Sequence, residues 1–208
     1  MRRKIERRSR IDATIAGYVQ MRSVFMALIV ALAVLTTPPV FGEQGPELHI
    51  VQSCPLADGG RATLEIVSRG YKADEPFVTI DGKTERAFLD MPDDEFAGHV
   101  VLADCVHGTL IFALEYGSPY LKGVAIRKNP KTLAIERLYF SEKALPRWLY
   151  SDDSLMQVVI PNLGFETSKK YLVYKYISGK GQSNESTPMD ILPEPRRKLI
   201  EIPRPRNR

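Results

Sequence analysis

Apolar and polar residues alternate with a period of two over most of the chain after residue 47. Clusters of Gly, Pro, Asp and Asn interrupt this alternation about every 8–12 residues, as PLADGG does at 55–60. A period of two places successive side chains on opposite faces of a strand, whereas an amphipathic helix repeats every 3.6 residues. We therefore predict an all-β chain, folded as a single-domain antiparallel β-sandwich or barrel of roughly 8–10 short strands.

Turn signals between the apolar runs predict three hairpins. Asp81-Gly82 favours a type I′ turn, His107-Gly108 separates HVVLADCV from TLIFALEY, and Asn129-Pro130 separates the next two runs. The runs LMQVVIPN and YLVYKYIS predict two further strands. EKALPRWLY, residues 142–150, is expected to be a short helix or a loop, because Pro146 limits a helix.

Residues 1–42 have the composition of a secretory signal peptide. They carry seven Arg or Lys against two acidic residues, a net charge of +5, and VFMALIVALAVL at 24–35 contains no polar side chain. A basic region, a short apolar region and small residues follow one another in the order of a signal, with cleavage expected before Glu43. Met21, followed by Arg22, is an alternative start, in which case residues 1–20 are not translated. Twelve apolar residues are too few for a membrane span, which needs about 20, so we expect no permanent membrane anchor after cleavage.

The chain is thus divided into a signal peptide at 1–42, an exported β-rich domain at 43–182 and a Pro/Arg-rich tail at 183–208. The tail is expected to be extended and partly disordered, because it has many prolines and few large apolar residues. Within it, KLIEI at 198–202 alternates, so this segment could dock as an edge strand on the same domain or on a partner. The expected location is the periplasm of a bacterium or the surrounding medium.

Two cysteines, Cys54 and Cys105, follow the predicted signal, and exported cysteines pair by default in an oxidising compartment. We therefore predict a Cys54–Cys105 disulfide that ties the first strand to a central one. Two alternatives are a free nucleophile, with His107 as its base in a Cys-x-His arrangement, and a metal thiolate.

Metal binding is a weaker candidate chemistry. His99 and His107 could bind a soft metal only if the fold brings them together with a further ligand. The acidic stretches DMPDDE (Asp90, Asp93, Asp94, Glu95) and SDDS (Asp152, Asp153) carry oxygen ligands for a hard cation but lack the spacing of a known cation loop. We interpret them as solvated loops and expect no cofactor.

Composition and missing motifs also narrow the function. The 166 residues after the signal hold 22 basic and 23 acidic side chains, a net charge of −1, so the overall pI near 9 does not indicate nucleic-acid binding. G-x-S-x-G, His-Glu-x-x-His, Ser-x-x-Lys, Cys-x-x-Cys and a complete phosphate loop are all absent from the sequence. The hypothesis is a non-enzymatic binding protein of the cell envelope, with a protein or glycan ligand.

Trp148 and Tyr150 are the candidate binding patch, because residues two apart on a strand share one face and aromatic rings supply rigid contact area. The alternative hypotheses are a secreted hydrolase with an Asp/Glu/His site and a periplasmic metal-binding protein.

Overall fold

The computed structural model describes residues 48–68, 73–89, 91, 98–117, 120–164, 167–195 and 198–204. Within these ranges the chain forms fourteen β-strands and no α-helix, all inside the compact unit Pro46–Arg208. The predicted signal peptide lies outside the described residues and stays a prediction.

The strands form three sheets in which every neighbouring pair is antiparallel. The first sheet has the order β1-β2-β3-β4, with β1 (Leu48–Pro55), β2 (Arg61–Ser68), β3 (Asp74–Ile80) and β4 (Lys83–Arg86). The second sheet has the order β5-β6-β7-β8, with β5 (Val100–Val106), β6 (Thr109–Glu115), β7 (Leu121–Lys128) and β8 (Ile135–Glu142). The third sheet has the order β12-β11-β10-β9-β14, with β9 (Trp148–Ser151), β10 (Leu155–Pro161), β11 (Tyr171–Ile177), β12 (Gly181–Gln182), β13 (Thr187–Met189) and β14 (Ile200–Glu201). The all-β prediction is confirmed in its sandwich form.

The second sheet is the middle layer of this sandwich. Leu110 and Phe112 of β6 pack with core residues of the first sheet, whereas Ile111 and Ala113 pack with core residues of the third sheet. All residues of β6 from Thr109 to Leu114 are buried, because successive side chains enter two different cores. The unbroken apolar run LIFAL is the sequence counterpart of this two-sided burial.

Two of the predicted hairpin turns have the backbone that a type I′ turn requires. Asp81 and Gly82 have φ angles of 50° and 81°, and His107 and Gly108 have φ angles of 48° and 72°. Positive φ at both central residues matches the right-handed twist of the flanking strands. The segment at 142–150 was expected to be a short helix or a loop. Only residues 143–147 are a loop, because β8 ends at Glu142 and β9 begins at Trp148.

The connections between strands fall at two ends of the sheets. Six hairpin turns, β1–β2, β3–β4, β5–β6, β7–β8, β9–β10 and β11–β12, lie at what we call the turn end. The longer links between successive hairpins lie at the opposite end, which we call the loop end. This division follows from antiparallel order, because a chain that turns back after each strand alternates between the two ends.

The tail takes part in the third sheet rather than leaving the domain at residue 182. β13 pairs with β11 on one side, and β14 pairs with β9 at the opposite edge, so the tail adds strands at both edges of the sheet. Val159 and Val173, which pair with each other on the face that points away from the second sheet, have no exposed surface. The edge strand predicted from KLIEI is confirmed for Ile200–Glu201, and Ile202 is buried in the core. Residues 205–208 lie outside the described part of the chain.

Candidate functional site

Cys54 and Cys105 form a disulfide bond, as predicted, with their Cα atoms 5.2 Å apart. The bond joins β1 of the first sheet to β5 of the second, one residue from the turn end of each strand. Because both sulfur atoms are bonded, the nucleophile and metal-thiolate alternatives are wrong for this state of the protein. His107 occupies the exposed β5–β6 turn, two residues beyond Cys105.

The two candidate metal ligands, His99 and His107, lie at opposite ends of β5. An extended strand rises about 3.3 Å per residue, so the two residues are on the order of 25 Å apart and cannot share one ion. His99 is half exposed, and its Nδ1 lies 3.3 Å from Oδ2 of Asp74. Among the residues that the structure describes, no three His, Cys, Asp or Glu side chains converge on a common point. Asp90, Asp93, Asp94 and Glu95 of the acidic loop lie outside those residues.

Trp148 and Tyr150 of the predicted binding patch lie on one face of β9, and neither is a fully exposed residue. Tyr150 retains only 5% of its surface, and Trp148 is half-buried, with its ring centre 5.7 Å from that of Tyr171 in an edge-to-face contact. These rings lie on the face of the third sheet that points away from the second sheet, because Leu149 between them packs in the core of the second and third sheets. The binding role of Trp148 and Tyr150 stays a prediction, although little of the Tyr150 side chain is accessible to a ligand.

The hydroxyl of Tyr150 instead donates a hydrogen bond to Oδ2 of Asp152 in the β9–β10 turn. Oδ1 of Asp152 accepts hydrogen bonds from Ser154 N, Ser154 Oγ and Leu155 N, each at 2.9 Å. Burial alone would raise the pKa of Asp152, but these hydrogen bonds outweigh it and lower the pKa to about 2. The bond to Asp152 also raises the pKa of Tyr150, since the phenol is stabilised as a donor. Asp152 is therefore a structural turn residue.

A buried ion pair fills the turn end between the second and third sheets. Arg127 and Glu136 are 2% and 3% exposed, and Nε and Nη2 of Arg127 lie 2.8 and 2.6 Å from Oε2 of Glu136. Arg127 also donates to Ser151 Oγ at 2.6 Å and to the carbonyl oxygen of Asp152. The charge is thus fully paired, which a buried cation requires.

Asn129 extends this network from the β7–β8 turn. It is completely buried, and its side-chain nitrogen lies 3.0 Å from Glu136 Oε1, 2.9 Å from the carbonyl oxygen of Asp153 and 2.9 Å from Ser178 Oγ. Arg127 and Asn129 are two residues apart, so both point from the second sheet towards the third.

Lys128, between them, points to the opposite face and contacts the first sheet. Its Nζ lies 2.7 Å from Oδ2 of Asp81 in the β3–β4 turn and donates to Asp58 in the β1–β2 turn. The hydrogen bond to Asp58, followed by that to Asp81, raises the pKa of Lys128. The bond from Lys128, followed by that from the Gly60 N–H, lowers the pKa of Asp58. The last two residues of β7, Arg127 and Lys128, together with Asn129 of the following turn, therefore connect the turns of all three sheets.

Sequence reasoning missed this network, although a signal for it exists. GVAIRKNP carries Arg127 and Lys128 directly after four residues of an apolar, two-sidedly buried strand. Charged residues at the end of a buried strand indicate that they form ion pairs with another sheet. The sequence does not identify the partners, because they lie up to 70 residues away along the chain.

The loop end carries a different set of side chains, which we call the loop-end patch: Tyr120, Lys143, Ala144, Asn162 and Leu163. Nζ of Lys143 lies 5.0 Å from the ring centre of Tyr120, a cation–π contact. Lys143, Ala144, Asn162 and Leu163 line a shallow depression with a volume of about 10 Å³, roughly the space of one water molecule. Tyr120 and Leu163 are 41% and 57% exposed. The patch therefore offers a ring, a cation and an aliphatic side chain around a shallow depression.

Other cations at the loop end also lie over aromatic rings. Nζ of Lys122 is 5.4 Å from the ring centre of Phe88 and 5.6 Å from that of Tyr116, and the guanidinium of Arg147 is 5.6 Å from that of Trp148. Such contacts hold long side chains along apolar surface while their charged ends remain near water.

Comparison of the chain with protein-family models, with curated proteins and with solved structures finds no match. In the part of the chain that the structure describes, there is no helix with the length and apolar character needed to cross a membrane.

Proposed function

We propose that the protein is an exported, non-enzymatic binding module of the cell envelope, and that the loop-end patch contacts a protein partner. The observation that carries this proposal is the exposure of Tyr120 and Leu163 beside Lys143 on a rigid three-layer scaffold. Exposed loops on a cross-linked β-scaffold are the usual position for recognition residues.

The composition of the patch favours a protein over a glycan. Sugar rings stack on open aromatic faces, and one face of Tyr120 already lies under Lys143. An aromatic and an aliphatic side chain with a cation at the rim correspond to the apolar anchors and polar border of protein interfaces. The absence of a deep cavity at the patch also fits a flat protein surface better than a small ligand.

Export is supported by the disulfide, because such bonds persist in oxidising compartments and are rare in the cytosol. The hydrolase alternative has less support. His99 lies at the loop end, whereas Asp152 and Asp153 lie in the β9–β10 turn at the other end, so these candidates do not converge.

Site-specific photo-crosslinking in intact cells tests the proposal with a matched pair of leucines. A photoreactive residue at Leu163, 57% exposed at the loop end, is compared with one at Leu133, 51% exposed in the β7–β8 turn. We expect discrete crosslinked protein bands from position 163 and none, or much weaker ones, from position 133.

A competition experiment compares the double variant Leu163→Asp and Tyr120→Ala with the control variant Leu133→Asp. The double variant should no longer compete with the photoreactive protein for its partner, while Leu133→Asp should compete as the wild type does. Equal crosslinking from both positions, or none from position 163, would contradict the proposed function.

A further inference from the structure

In the part of the chain that the structure describes, no strand lies along the outer edge of β1, and several apolar side chains of β1 are exposed. β1 is the terminal strand of the first sheet, and among the described strands only β2 pairs with it. Leu48, Ile50 and Val51 are 45%, 70% and 37% exposed. Such an edge combines unpaired backbone groups with apolar surface, and this combination is a template for another strand.

The other long edge strands in the described part of the chain are blocked by side chains. On β8, the Gln182 side chain accepts a hydrogen bond from Tyr139 N at 2.7 Å and donates one to Tyr139 O at 2.8 Å. The hydroxyl of Tyr174 donates to Ser141 O at 3.2 Å on the same edge. On β5, the N–H of Val100 donates to Oδ2 of Asp74 at 3.1 Å. These are the devices by which sheets avoid edge-to-edge pairing.

The remaining edges are guarded by charge, proline or shortness. β4 carries Lys83 and the Glu85–Arg137 ion pair, β13 contains Pro188, and β14 has only two residues and precedes Pro203. β1 differs from all of them, because LHIVQSCP contains no Lys, Arg, Asp or Glu and no proline before its last residue.

We propose that β1 is a self-association edge at which a second copy of this chain pairs its own β1 in antiparallel orientation. The backbone groups at a strand edge can form hydrogen bonds with a second strand. Two identical edges can pair in this way about a two-fold axis, which is the commonest symmetry of homo-oligomers. Since β1 carries no fixed charge, two copies meet without like-charge repulsion, and Leu48 and Ile50 of each copy would cover those of the other.

The location of β1 separates this proposal from the loop-end patch. β1 lies beside β5 through the Cys54–Cys105 bond, whereas Tyr120 and Lys143 flank β7 and β8 on the other side of the second sheet. The bulge between Ile50 and Gln52 confines regular pairing to the first residues of β1. A two-fold pair of such short edges predicts a weak, concentration-dependent dimer.

Sedimentation equilibrium of the full chain, as the expressing cell processes it, measures this association. We expect wild-type protein to shift from monomer to dimer across micromolar to millimolar concentrations. Ile50→Lys should weaken the association at least ten-fold, because it places two like charges at the paired edge. The matched control is Ile191→Lys, at a residue 58% exposed in the tail segment, and it should associate as the wild type does.

Hydrogen exchange at residues 48–51 supplies a second readout. If Ile50→Lys loses the native circular dichroism spectrum, Leu48→Lys replaces it as the variant. Amides at 48–51 should exchange more slowly at high protein concentration than at low concentration. Wild-type protein that stays monomeric would overturn the proposal. Fast hydrogen exchange at 48–51 would then show that the edge is open to a different protein, and slow exchange that the chain itself covers it. Unchanged dimerisation of both lysine variants would also overturn it.

Discussion

At the turn end, the last two residues of β7 and Asn129 of the following turn contact the turns of all three sheets, whereas at the loop end the cations lie over aromatic rings near the surface. Lys128 contacts Asp58 and Asp81, and Arg127 is buried against Glu136. Lys143 and Tyr120, by contrast, interact at an exposed site. One end is therefore held together by paired charges, and the other leaves aromatic and aliphatic side chains exposed. Binding residues in β-proteins are commonly found on exposed loops that a rigid scaffold positions, and of the two ends the loop end fits that arrangement better.

The largest effect is expected from Arg127→Ala at the turn end. Removal of the guanidinium leaves the Glu136 carboxylate buried without its partner, which costs about 3–5 kcal/mol of unfolding free energy. Chemical denaturation at neutral pH measures this loss. Arg137→Ala is the control, because Arg137 pairs with Glu85 at a partly exposed site and should cost only about 0.2–1 kcal/mol. Equal losses of unfolding free energy in the two variants would show that the buried Arg127–Glu136 pair contributes no more to stability than a surface ion pair.

The disulfide is expected to have the next largest effect. Replacing Cys54 and Cys105 with alanine opens a loop with a sequence separation of 51 residues, which should lower the unfolding free energy by up to about 4 kcal/mol if loop entropy dominates. Denaturation of the double variant, compared with reduced and oxidised wild-type protein, measures this. Wild-type protein whose stability does not change on reduction would show that the turn end does not depend on this bond.

Acidification should weaken the turn end through Asp152. Its folded pKa of about 2 lies below the ordinary value of 3.8, so its contribution to stability is fully present above about pH 4 and is lost as the pH falls towards 2. A shift of this size at a partly exposed carboxyl corresponds to about 1–2 kcal/mol. Unfolding free energies of wild type and Asp152→Asn, measured from pH 5 to pH 2, should therefore converge. The control is Asp190→Asn, which removes an exposed pair with Lys169 and should change the unfolding free energy at pH 5 by less than about 1 kcal/mol.

The smallest effect on stability is expected at the loop-end patch. Tyr120→Ala combined with Leu163→Asp removes exposed side chains, so the unfolding free energy should change by less than about 0.5 kcal/mol per site. Thermal and chemical denaturation check this. A large loss would show that the patch is part of the core packing and not a recognition surface.

The hairpins could be predicted from sequence because their signals are local. Asp81-Gly82 and His107-Gly108 adopt positive φ angles at both positions, which a few residues are enough to encode. The pairing of Cys54 with Cys105 was also predictable, since only two cysteines are available. The exposure of Trp148 and Tyr150 could not be judged from sequence, because it depends on residues distant along the chain, such as Tyr171, whose ring contacts that of Trp148.

The sequence by itself determined the strand class, the turn positions and the disulfide partners, because periodicity, glycine chemistry and cysteine count act over short distances or leave one choice. Only the tertiary structure decided that β6 and β7 form a middle layer, that Arg127, Lys128 and Asn129 point to different sheets, and that β1 keeps an open edge. The physical reason is that burial of a side chain depends on which sheet covers it. Residues far apart along the chain make that choice, and no local pattern records it.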